Sequence, residues 1–78
     1  MSTISTINHA KTTGALEGII DQEAELRGIT LDISLSFSEN AEALRQKATQ
    51  PSNPDNWSLC EMAELLDAAE KRWFELDG

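Results

Sequence analysis

Leu26-Arg27-Gly28-Ile29-Thr30-Leu31-Asp32-Ile33-Ser34-Leu35-Ser36-Phe37 is the stretch on which the fold turns. It has two readings. As a strand, Ile29, Leu31, Ile33, Leu35 and Phe37 alternate with Thr30, Asp32, Ser34 and Ser36, a period-two pattern rich in strand-favouring residues. Gly28 then stands where a first helix ends. Ser36 and Glu39 have the Ser-x-x-Glu spacing that starts a new one. As a helix, the same segment carries an apolar face that continues on both sides: Leu16, Ile19, Leu26, Ile29, Ile33, Phe37, Ala41, Leu44 and Ala48. Leu26, Phe37 and Ala48 recur every eleven residues, the period of a nearly straight seam. The helical reading is preferred. A lone strand has unpaired edges, and it does not explain why the stripe continues beyond it. Its cost is Gly28 in a helix interior, about 1 kcal/mol relative to alanine.

Downstream the pattern is plainer. Leu59, Met62, Leu66, Ala69, Trp73 and Leu76 follow steps of three and four, a coiled-coil-like stripe on one helix face. Ser58 and Glu61 have capping-box spacing, and Trp57 with Met62 fits a hydrophobic staple. Lys71 and Arg72 suit the negative end of that helix. Between the halves, Gln50-Pro51-Ser52-Asn53-Pro54-Asp55-Asn56 breaks the chain with two prolines.

The expected fold is therefore an all-α helical hairpin: a flexible N-terminal arm at 1–12, a long helix over about 13–49, a Pro-containing turn at 50–57 and a shorter helix over about 58–76. The long helix spans roughly 55 Å and the short one under 30 Å. Its uncovered half carries Leu16, Ile19, Ile20, Leu26 and Ile29. Apolar surface left in water is unfavourable by about 25 cal/mol per Å². These five residues are the expected self-association surface, most simply of a homodimer about a two-fold axis.

Composition narrows function. A chain of 78 residues buries too little surface to be stable with much margin, and usually needs disulfides, metal or association. Cys60 is the only cysteine and His9 the only histidine, so no intrachain disulfide forms and no metal motif is present. A net charge of −8 from 14 acids and 6 bases repels nucleic acid and anionic membranes. It suits a partner protein with a basic surface. No stretch is apolar enough to span a bilayer. The absence of a signal-like start at 1–11 and the single free cysteine favour a reducing, cytoplasmic location.

Catalysis has little to work with. Glu61, Glu64, Asp67 and Glu70 make a carboxylate row, which reads more simply as a solvated helix face. Cys60 in a first helical turn has the placement that lowers a thiol pKa, and reads more simply as a small packed residue. No enzyme activity, catalytic residue or cofactor is expected. Glu17, Asp21 and Glu25 recur at steps of four and, with Phe74 off the apolar stripe, are the expected partner-binding residues. The sequence thus points to a small acidic protein-binding module, an adaptor, antiactivator or phage-type inhibitor that regulates a larger protein.

Residues 40–54, Asn-Ala-Glu-Ala-Leu-Arg-Gln-Lys-Ala-Thr-Gln-Pro-Ser-Asn-Pro, resemble the helix-to-turn passage of type III secretion needle subunits, which are short hairpins with a P-x-x-P turn. The resemblance implies a structural subunit or chaperone of a helical assembly. Needle subunits carry a long helix after the turn, whereas 24 residues follow Pro54 here. A third alternative, a strand–helix–helix DNA-binding dimer, would place its strand at 29–37, where the outward side chains offer no base and one acid.

Overall fold

The computed structural model describes residues 3–48 and 56–77. Gly28 decides the path of the chain. Its φ of +67° lies in the left-handed region, which glycine enters without the penalty a Cβ brings. Helix ends there by the hydrogen bonds of a Schellman motif: Ile29 N–H donates to Ala24 O at 2.9 Å and Gly28 N–H to Glu25 O at 3.1 Å. The long helix expected over 13–49 is therefore two helices. The molecule's longest dimension, 38 Å, is shorter than that helix would be.

The order is α1 (Thr3–Asn8), α2 (Thr13–Leu26), α3 (Phe37–Ala48) and α4 (Asn56–Asp77). All described secondary structure is helical, so the strand at 29–37 and the ribbon-type DNA-binding fold built on it are not present among the described residues. The expected turn at 50–57 lies largely outside the described residues.

The starts of α2 and α3 have local causes. Thr12 caps α2, its Oγ1 accepting from Ala15 N–H at 3.1 Å. Ser36 and Glu39 form a reciprocal box at the start of α3: Glu39 N–H donates to Ser36 Oγ at 3.1 Å, and Ser36 N–H to Glu39 Oε1 at 3.2 Å. The box expected at Ser58 does not form. α4 begins two residues earlier, and Glu61 pairs with Arg27, a charge-assisted contact stronger than one to a neutral amide.

α4 is the central element, and α1, α2 and α3 all pack against it. Its buried residues, Leu59, Met62, Ala63, Leu65, Leu66 and Ala69, exceed a two-position stripe because it has neighbours on more than one side. Leu16, Ile20 and Ala24 of α2 and Ala41, Leu44 and Ala48 of α3 complete the same core. Residues 3–8 are not a loose arm: Ile7 is fully buried in that core. Arg72 of α4 fastens the α1–α2 connection, its Nε donating to Ala10 O at 2.9 Å. Thr3 Oγ1 donates to Glu23 Oε1 at 2.7 Å. That bond, with the Arg27 guanidinium, holds the Glu23 carboxyl below the ordinary range. Arg27 in turn bridges Glu23 and Glu61, joining α2 to α4.

Most of the apolar face of 13–48 is thus covered within one chain, Leu26 and Ile33 excepted. Folding back at Gly28 places Leu16 and Ile20 in the core, so the overhang that motivated self-association is absent.

Candidate functional site: an apolar groove with an acidic rim

Between α2 and α3 the chain runs as an irregular segment whose path is fixed by a single buried side chain. Asn40, in the second turn of α3, is 7% exposed. Its Nδ2 donates to Asp32 O at 3.0 Å and Ser36 O at 3.1 Å, and its Oδ1 accepts from Asp32 N–H at 3.0 Å. The amide closes a small ring with the Asp32 backbone, supplying hydrogen bonds that a strand partner would otherwise provide. At the tip, Asp32 Oδ1 accepts from Ser34 Oγ at 2.6 Å and Ser34 N–H at 2.9 Å, an Asx turn. These bonds, the hydroxyl first, hold the Asp32 carboxyl below its ordinary value.

The alternation in the sequence has a physical counterpart. Ile29, Leu31 and Phe37 pack partly buried on the core, while Ile33 at the tip is fully exposed. Phe37 meets Trp73 of α4 edge to face, ring centroids 5.6 Å apart at 85°, a favoured aromatic geometry.

This segment forms the lip of a groove of about 500 Å³, within the range of ligand-binding clefts. Its apolar surface comes from Ile20 of α2, Leu31, Ile33 and Leu35 of the lip, Phe37 of α3 and Trp73 of α4. Around it stand Glu17 and Asp21 on α2, Asp32 on the lip and Glu70 on α4, with no lysine, arginine or histidine in the lining. Glu70 Oε2 accepts from Ser38 N–H at 3.1 Å, satisfying an open amide at the start of α3. Glu17 and Asp21 are exposed and take part in no ion pair or hydrogen bond among the described residues. They lie one helical turn apart, about 6 Å along the axis, as two unneutralised charges on one wall.

Of the expected partner-binding residues, Glu17 and Asp21 line the groove, whereas Glu25 and Phe74 do not. Phe74 is 63% exposed on another face of α4. The expected self-association residues are dispersed. Leu16 and Ile20 are core, Ile19 and Ile29 half-buried against it, and Leu26 alone is mainly exposed. Residue spacing marks neither Asn40 nor the 31–35 lip as part of a site, and it places Trp73 on the apolar stripe of α4. The signals were Asp32-Ile33-Ser34, an Asx-turn pattern, and an asparagine one residue beyond the Ser36–Glu39 box.

A second cavity of about 310 Å³ lies among Arg27, Gly28, Ile29, Thr30, Leu44, Lys47, Ser58 and Leu59. Its guanidinium is already held by Glu23 and Glu61. No group of carboxylates, cysteine or histidine among the described residues is arranged to hold a metal. No helix among them is long and apolar enough to cross a membrane. No family model matches the chain, and neither a curated protein nor a solved structure matches it.

Proposed function

We propose that this chain is a protein-binding module that regulates or inhibits a larger protein by occupying one of its segments in the groove between α2, the 31–35 lip and α4. The observation that carries this reading is the lip. A fully exposed isoleucine stands on a loop pinned by a buried asparagine and an Asx turn. Ordering an apolar anchor in advance removes part of the entropy cost of association. Ile33 and Leu35 line the same groove as Phe37 and Trp73, so the anchor shares it with an aromatic pair of the kind enriched in binding hot spots. A small molecule is the poorer occupant. Small-ligand sites enclose most of their ligand, whereas the exposed lip can contribute to binding only against something that extends over it.

The test is site-specific cross-linking in cells. A photoreactive residue at Ile33 is expected to capture a discrete protein. The same residue at Trp57, about 24 Å along α4 from Trp73, is expected not to. Equal capture from both positions, or capture at Trp57 alone, overturns the assignment of this face.

A further inference from the structure

We infer that the occupant of the groove is a basic amphipathic segment of a protein, with an apolar anchor flanked by lysine or arginine; this rests on the reading of the groove as a docking site and specifies its ligand. Three facts carry it. The floor is apolar and aromatic, from Ile20, Leu31, Phe37 and Trp73. Its rim holds four carboxylates and no cation. The whole chain carries a net charge of −8, so the field around the groove attracts cations and repels anions before contact is made.

Complementarity also separates the possible occupants. A second copy of this chain would bring its own carboxylates against Glu17, Asp21, Asp32 and Glu70, and like charges facing across an interface oppose binding. Nucleic acid is repelled for the same reason. A neutral apolar segment would fill the floor and leave Glu17 and Asp21 partly desolvated without partners, which is unfavourable. A basic amphipathic segment satisfies both parts. Its apolar residue enters between Leu31 and Trp73. Cations one helical turn apart, at i and i+4, match the spacing of Glu17 and Asp21 on α2. An arginine beside Trp73 gains in addition from the indole face.

The experiment uses the full chain carrying Trp57→Phe, which leaves Trp73 as the sole indole. Three synthetic peptides with identical apolar positions, flanked by Lys/Arg, by Gln or by Glu, are titrated while Trp73 fluorescence is followed, at low and high salt. The Lys/Arg peptide is expected to bind about tenfold or more tightly than the Gln peptide at low salt, since several exposed ion pairs each add a small increment. The Glu peptide is expected to bind weakest. The advantage should shrink at high salt and fall severalfold in Glu17→Gln/Asp21→Gln, whose substitutions lie on exposed positions.

Equal affinity for the Lys/Arg and Gln peptides overturns the charge inference and leaves the docking reading standing. Binding that is unchanged by Ile33→Ser, or that leaves Trp73 unaffected, overturns the placement in this groove. Self-association that alters Trp73 without peptide identifies a second copy as the occupant and overturns the inference. If no peptide binds, the inference also fails, and cross-linking at Ile33 decides separately whether the docking reading survives.

Discussion

Replacing Asn40 by alanine removes one amide that makes three hydrogen bonds, two donated to Asp32 O and Ser36 O and one accepted from Asp32 N–H. Each neutral bond contributes about 0.5–1.5 kcal/mol net, and an unsatisfied group in a partly buried site costs more than the bond alone. The expected loss is about 2–4 kcal/mol. At roughly 0.05–0.15 kcal/mol per residue, a chain of 78 residues has about 4–12 kcal/mol in total, so the loss is a large share. A loss near 2.5 kcal/mol corresponds to a fall in Tm of about 10–20 °C for a domain of this size. Urea unfolding is the assay, with the midpoint expected to fall and the slope to stay constant. Amide exchange at Asp32 should accelerate in parallel. Asn40→Asp keeps an acceptor for Asp32 N–H but loses both donations, so it should be destabilised as well. A loss below about 0.5 kcal/mol in Asn40→Ala, with Asp32 exchange unchanged, would show that the lip is held by something other than this side chain.

Gly28→Ala should cost about 1–2 kcal/mol by urea unfolding, because alanine at φ +67° is penalised in the left-handed region. Beyond its chain neighbours no atom lies within 4 Å of the added Cβ, so the cost is one of backbone alone and Gly28→Asn should recover part of it. Ile7→Ala should cost about 2–5 kcal/mol, as for a buried aliphatic side chain; no change would return residues 3–8 to a loose arm. Ile33→Ser should leave stability within about 0.5 kcal/mol, since the side chain is fully exposed, while weakening binding of the Lys/Arg-flanked peptide severalfold. Stability should fall with acid as Glu23 titrates. Its folded pKa is depressed by Thr3 and Arg27, so its contribution is present above the unfolded value and is lost as pH drops through the folded one. Glu23→Gln should flatten that part of the pH profile below about 4.5.

The second half of the chain was legible because periodicity and burial agree there. Leu59, Met62, Leu66 and Ala69 are buried as their spacing implies, although the box at Ser58 misplaced the helix start. The first half was not legible from periodicity, because the apolar face across Leu26–Phe37 is continuous whether the chain stays helical or folds back. Local chemistry distinguished the two. Gly28 at a helix end and the Ser36–Glu39 box both marked a break, and both form. On periodicity alone, the segment between those two features is a strand without a partner. The chain instead satisfies the segment with one side chain, Asn40, and with packing of Ile29 and Leu31. A side-chain amide standing in for a strand partner leaves no periodic trace. The spacing puts Glu17, Asp21 and Glu25 in one row; that Glu17 and Asp21 line the groove and Glu25 does not depends on where α4 brings Glu70 and Trp73.

The most direct measurement is nuclear magnetic resonance shift mapping of the labelled chain on addition of the Lys/Arg-flanked peptide. Docking in the groove predicts the largest changes at the Ile33 and Leu35 methyls, the Phe37 amide and the Trp73 indole N–H, with Trp57 and Phe74 unmoved. Shifts concentrated at Trp57, at Phe74 or along the Arg27–Lys47 edge, with Ile33 and Trp73 unchanged, would contradict it.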